Sequence, residues 1–205
     1  MKKKRWHIMP RDTEKENTLI RELGVNPIVA RLMVNRNIDS DEGHRFLEGT
    51  LKDLLDPFTL KDMETAVALI LETIEAKKSI VVYGDYDVDG ICSTYVLYHA
   101  LQLLGASVSY RIPHRIKDGY GLNEEIIREC SGQQVEVIVT CDNGIAAADA
   151  VAYGKEHGLT MIITDHHDVP FDTDEAGMRK EVLPPADVVI NPKQEACNYP
   201  YPLLC

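Results

Sequence analysis

Long apolar runs are missing from this 205-residue chain, and none approaches the ~20 residues that would span a bilayer. The basic amino terminus, Met1 to Pro10, is not followed by the apolar stretch of a secretory signal. Cysteine pairing motifs are absent as well. The five cysteines (Cys92, Cys130, Cys141, Cys197, Cys205) are odd in number, scattered and without a CxxC, which excludes a zinc or disulfide framework. They read as reduced thiols of a soluble, cytoplasmic protein with no membrane association. No GxGxxG follows the first predicted strand and no GxxxxGK occurs anywhere, so dinucleotide and P-loop folds are excluded. There is no internal repeat. Positive charge is also short: 22 Lys+Arg face 33 Asp+Glu, a formal charge of −11. A basic surface alone cannot be the means of holding nucleic acid here. Carboxylates that hold divalent cations would reverse the field locally, because a bound ion can be the largest charge in a site.

The chain is 44% hydrophobic, which excludes a wholly disordered polymer. At this length a globular protein buries roughly 70% of its unfolded surface, enough for one sizeable core. Residues 1–60 read as a helical leader, with an apolar stretch from Pro27 to Val34 and a short amphipathic helix from Phe46 to Leu55 that Asp56-Pro57 breaks. Residues 61–205 read differently. Met63, Ala66, Val67, Ile70, Leu71 and Ile74 have helical spacing, followed by the buried-strand run Ile80-Val81-Val82-Tyr83. After an acidic turn from Asp85 to Gly90, a helix is expected over 91–104, closed by Gly105. A strand over 107–112, a short helix capped by Asn123, a strand over 135–140, a helix over 145–157 and strands over 159–164 and 187–190 follow. This alternation predicts an α/β fold: a parallel sheet with helices on both faces. Between His167 and Ala186 no periodicity is visible, and a long loop is expected.

Polar residues gather where the strands end. Val82-Tyr83 runs into Gly84-Asp85-Tyr86-Asp87-Val88-Asp89-Gly90, Val139-Thr140 into Cys141-Asp142-Asn143-Gly144, and Ile163-Thr164 into Asp165-His166-His167. The carboxyl edge of an open parallel sheet is where ligands bind. So many carboxylates cannot share a small volume without compensation, since like charges push protons back on. Two divalent cations remove the conflict, and carboxylate plus imidazole without thiolate suits Mn²⁺ or Mg²⁺. A pair of ions ~3.5–4 Å apart can activate a water and clamp a phosphoryl oxygen. Asp-x-Asp-x-Asp-Gly also opens a calcium-binding EF-hand loop, but the twelfth position is Val96 where a bidentate Glu is needed. Any one of the three clusters alone could be a polar turn. Three at successive strand ends point to a site.

Val82 to Gly90, Asp142-Asn143-Gly144 and Asp165-His166-His167 resemble the first three motifs of the DHH phosphoesterases. Further matches are Asp56-Pro57-Phe58 with Leu60-Lys61-Asp62-Met63, Pro113-His114-Arg115 with Gly119-Tyr120-Gly121-Leu122, and Asn191-Pro192-Lys193. These place the likeness with the bacterial exonucleases specific for single-stranded DNA. The resemblance implies a parallel α/β DHH domain and Mn²⁺- or Mg²⁺-dependent 5′→3′ hydrolysis of single-stranded DNA to nucleoside 5′-monophosphates. It implies a place in DNA repair and recombination, beside a single-strand-binding protein and a helicase. By family pattern Asp85 and Asp87 serve one ion, Asp89 and His166 the other, and Asp142 bridges them. His167 donates to a non-bridging phosphate oxygen and, with Asp142, is catalytic. Asp165 orients His166, and Arg115 holds a phosphate.

The family's remaining metal-binding Asp and its second domain are not found in the 205 residues, so an amino-terminal fragment is expected, one carboxylate short, open on one side of its channel and, taken alone, weak in metal binding and slow or inactive in turnover. Two alternatives stay open. One is another DHH phosphoesterase acting on oligoribonucleotides, cyclic dinucleotides or polyphosphate. The other is a non-catalytic DNA-binding scaffold, against which the intact acidic cluster argues.

Overall fold

A computed structural model describes residues 7–114, 116, 119, 121–174 and 177–200. The chain divides into two compact units, Met1–Leu55 and Asp56–Cys205.

The first unit contains helices α1 (Thr13–Leu23), α2 (Pro27–Asn35) and α3 (Ser40–Glu48). Each starts on a side-chain cap, from Asp12, Asn26 and Asp39 respectively, with Pro27 in the first turn of α2. Leu19, Ala30, Met33 and Ile38 form its core. Glu16 is buried there and is held by Arg11. The amphipathic helix expected over 46–55 is not one element. The helix ends at Glu48, and Thr50 and Asp53 form a reciprocal capping box around a 3-10 turn, Leu51–Asp53. Local side-chain bonds to the backbone here win over helix continuation.

The second unit holds α4 (Met63–Glu75), β1 (Ser79–Tyr83), α5 (Val88–Leu103), β2 (Ser107–Arg111), α6 (Glu124–Gly132), β3 (Val137–Thr140), α7 (Ala148–Glu156), β4 (Thr160–Thr164), β5 (Phe171–Thr173), β6 (Arg179–Glu181) and β7 (Val188–Ile190). Five strands form one parallel sheet in the order β2-β1-β3-β4-β7. Alternate residues of each strand serve opposite faces. Val81, Tyr83, Ile138, Met161, Ile163 and Val189 pack with Ile126, Ile127 and Cys130 of α6 and Val151 of α7. Ile80, Val82, Val137, Val139, Ile162 and Ile190 pack with Ala66 of α4 and Leu101 of α5. Burial on both sides is why these strands read as unbroken apolar runs.

The helix expected over 145–157 begins only at Ala148, and two further expectations are corrected. The segment from His167 to Ala186 carries the antiparallel hairpin β5–β6, closed where the Asp174 carboxylate accepts the Met178 N–H at 2.8 Å and Gly177 takes a φ of 80°. Its three-residue strands are exposed and bury no stripe, so they leave no periodic trace. Second, α5 begins at Val88, three residues ahead of expectation, because the Asp87 carboxylate accepts the Gly90 N–H at 2.9 Å and caps the helix. Asp89 therefore lies in the first helical turn.

Backbone crowding fixes that turn. A Cβ on Gly90 would sit 2.5 Å from the Asp85 backbone nitrogen, and one on Gly84 would sit 1.9 Å from Thr94 Oγ1. Gly90→Ala is expected to destabilise the protein by about 1–3 kcal/mol, as over-packing does, read as a lowered urea midpoint at unchanged slope. An unchanged midpoint would contradict the close approach. The thiols supply a second check. Burial pushes the Cys141 thiol up to about 11 and raises that of Cys130, while Cys92 is exposed. Alkylation at pH 8 followed by peptide mapping should mark Cys92 in the native protein, and Cys130 and Cys141 only after unfolding.

Candidate metal centre

The strand order reverses beside β1: the chain crosses through α5 to β2 on one side, then returns through α6 to β3 on the other. Open α/β sheets bind ligands at the carboxyl end of such a reversal. Asp85 and Asp87 leave the end of β1, and Asp142 leaves the end of β3. Asp165, His166 and His167 follow β4, the next strand along.

Asp85 is buried, and its Oδ1 accepts the Tyr86 N–H at 2.7 Å. Asp142 stands at φ 62°, a left-handed conformation that Asp and Asn tolerate better than most residues. Its backbone N–H donates to Thr164 O at 3.1 Å, tying the ends of β3 and β4 together. Asn143, also buried, donates from Nδ2 to Cys141 O at 2.9 Å and to Tyr83 O at 3.3 Å, pinning the same turn to β1. The result brings one oxygen each from Asp85, Asp87 and Asp142 within 4.8 Å of one another. Atoms of Asp142, His166 and His167 meet the same limit, so Asp142 belongs to both groups. Its Oδ1 lies 2.8 Å from His166 Nε2, while its Oδ2 is buried with no hydrogen-bond partner. A buried carboxylate oxygen left unpaired is costly, and a cation is the natural partner for one among other carboxylates. The donor set therefore fits hard or borderline divalent ions.

Asp89 lies at the rim, mostly exposed, with Oδ2 at 3.8 Å from His166 Nε2. Asp165 departs from expectation in its choice of ring. Its Oδ1 accepts from the backbone N–H groups of His166 and His167, and lies 2.7 Å from His167 Nδ1. Its Oδ2 accepts the Ile145 N–H at 3.0 Å. The carboxylate thus orients the His167 imidazole, whereas the His166 ring is held by Asp142. Arg115 falls outside the described residues. Asn191, to which sequence reasoning gave no role, is buried and donates from Nδ2 to His167 O at 3.0 Å, linking the end of β7 to the histidine turn. Its signals in the sequence were its place directly after the apolar run of β7 and the family match over Asn191-Pro192-Lys193.

Burial, then the charge of Asp87, raises the Asp142 pKa above the ordinary carboxylate range, and the His166 contact only partly offsets this. For His167, partial burial opposes protonation. The Asp165 hydrogen bond and the charges of Asp165 and Asp142 together outweigh it, and its pKa is raised.

These features define a class: a parallel α/β domain with an acidic and imidazole centre at its topological reversal. The profile described as "DHH family, N-terminal domain" matches residues 79–203, and the chain belongs to the DHH family. It is 41% identical over 200 residues to the single-stranded-DNA-specific exonuclease RecJ of Bacillus subtilis, covering 97% of this chain and 24% of that protein. Against the Escherichia coli protein of the same name it is 35% identical over 175 residues, covering 85% of this chain and 28% of the relative. A crystal structure of exonuclease RecJ bound to manganese matches with a TM-score of 0.57 and 34% identity, over 67% of this chain and 32% of that one. The Mn²⁺ complex of RecJ from Thermus thermophilus matches with a TM-score of 0.64 and 26% identity, over 92% and 25% respectively. The chain thus spans about a quarter of the length of the curated relatives it matches.

The sign of the Asp142 shift makes a prediction for the metal-free protein. A raised carboxylate pKa contributes stability that is complete below the unfolded value of about 3.9 and is lost as pH rises through the folded value. His167, also raised, contributes stability that is complete below about 6.5 and fades above its own folded value. At pH 7 with EDTA, Asp142→Asn should therefore melt no lower than the wild type. Manganese at a hundred times its dissociation constant should add about 2.7 kcal/mol to the wild type and nothing to the variant. A variant that melts lower in EDTA, or keeps the manganese shift, would remove Asp142 from its central place.

Proposed function

We propose that this chain is the metal-carrying domain of an exonuclease specific for single-stranded DNA, dependent on Mn²⁺ or Mg²⁺. It works 5′→3′, releases nucleoside 5′-monophosphates, and serves DNA repair and recombination in the cytoplasm alongside a single-strand-binding protein and a helicase. The observation that carries the reading is Asp142, shared by two groups of potential ligands beside a pair of histidines. The sequence identity to exonucleases of this specificity supports the choice of substrate, and the manganese-bound relatives support the choice of metal.

In this reading Asp85 and Asp87 hold one cation, Asp89 and His166 the other, and Asp142 both. Two divalent ions held by these residues would lower the pKa of a water and neutralise charge on the phosphoryl oxygens. The protein's own groups do the rest. Asp165 fixes the His167 ring through Nδ1 and favours its protonated form, from which Nε2 would donate to a non-bridging phosphate oxygen as charge builds there. The Ile145 N–H on Asp165 Oδ2 holds that carboxylate in place. Asp142, desolvated and close to Asp87, holds its proton more tightly than an ordinary carboxylate, so a cation there would displace that proton and metal loading would depend on pH. No helix among the described residues is long and apolar enough to cross a membrane.

The test is a manganese-dependent digest of single-stranded DNA labelled at either end. Mononucleotides should appear first from the 5′ label, and Asp89→Ala and Asp142→Asn should each lose at least ~100-fold in rate. Hydrolysis confined to oligoribonucleotides or cyclic dinucleotides would sink the substrate assignment, and full activity in either variant would sink the ligand roles.

A further inference from the structure

Lys193 and Asp168 have no part in the chemistry described so far. Lys193 follows β7 by three residues, and its Nζ lies 2.8 Å from Asp168 Oδ1. The pair is lopsided: the lysine side chain is 23% exposed and the aspartate side chain 94%. A carboxylate so open to water binds its partner weakly and is easily exchanged. The lysine is fixed from another direction. Buried Asn191 accepts the Lys193 N–H through Oδ1 at 2.8 Å and donates from Nδ2 to His167 O at 3.0 Å. One side chain therefore ties the Lys193 backbone to the peptide of His167. The lysine charge is also felt at His167, where it opposes protonation. An ammonium cannot serve as a metal ligand, yet this one is held beside an acidic centre on the rim where a polyanion has to approach.

We propose that Lys193 binds a backbone phosphate of the strand entering the metal centre, with Asp168 as its resting partner, displaced when the strand arrives. This rests on the phosphodiester substrate proposed above. The exchange trades one anionic oxygen for another on the ammonium, while Asp168, already nearly all in water, turns to solvent. Because Asn191 sets the spacing between the Lys193 and His167 backbones, the phosphate gripped by the lysine sets the register of the strand relative to the histidine.

Anisotropy of fluorescein-labelled dT10, with Ca²⁺ replacing Mn²⁺ and substrate integrity checked on gels, tests the assignment. Lys193→Ala should weaken binding about tenfold and reduce the salt slope by about 0.7, the share of one single-strand phosphate contact. Lys193→Arg should stay within about threefold of wild type. Asp168→Asn should tighten binding, since it frees the lysine. Opposite signs for the two neutralising variants separate a phosphate contact from a structural ion pair, whose loss from either side would weaken binding alike. Equal weakening by both, or an unchanged salt slope, overturns the proposal. If the wild type does not bind dT10, the DNA substrate assignment fails on its own. The same variants are then titrated with rU10, where a tenfold loss in Lys193→Ala upholds the lysine's role and no loss removes it.

Discussion

Carboxylates brought within a few ångströms of one another repel, and the whole rim of this sheet is organised around that repulsion. Asp85, Asp87 and Asp142 converge, and among the described residues no lysine or arginine is paired with any of them. The strain is visible at Asp142, where one oxygen is buried without a partner and the pKa is driven up by burial and by Asp87. A fold that keeps such a group has a use for its charge. The positive end of α5 softens the conflict, with Asp87 capping the helix and Asp89 in its first turn. It does not abolish it, and divalent cations are the remaining way to do so.

The scaffold that imposes this convergence is rigid where it needs to be. Val137, Val139, Ile138 and Met161 are buried in the two cores flanking the sheet, so the strands carrying the acidic turns have little freedom to separate. The turns themselves are locked by backbone contacts: Gly90 against Asp85, the Asn143 amide against Tyr83 and Cys141, and Asp142 N–H against Thr164. Small residues and buried amides act here as spacers that define distances between charged groups. The two histidines have different partners. Asp142 holds the ring of His166, while Asp165 holds the ring of His167 and raises its pKa.

Much of the fold was legible because burial on both faces writes itself into composition. Val81-Val82, Val137 to Val139 and Met161 to Ile163 could hardly be anything but interior strands, and the parallel arrangement followed from the helices between them. Elements without a buried face were illegible. The hairpin of Phe171–Thr173 and Arg179–Glu181 has no apolar stripe, and the stretch from Phe46 to Leu55 mimics a helical stripe although Phe46, Leu51 and Leu54 are all exposed. The same limit applied at the site. Acidic residues at strand ends could be picked out by number, but which imidazole Asp165 would grip depends on side-chain directions that spacing does not encode.

The order of residues along the chain alone determined that strands and helices alternate, that each strand ends in polar groups, and that carboxylate and imidazole are the donors. Those are local properties, set by periodicity and by side-chain chemistry. Only the tertiary structure decided that β1 and β3 would be neighbours while β2 went to the outer edge, since strand order is a matter of packing between distant segments. That decision placed Asp142 beside Asp85 and Asp87 and drew Lys193, through Asn191, to the histidine turn. Most such contacts join residues tens of positions apart, and the physical reason they escape a linear reading is that their energy comes from geometry in three dimensions.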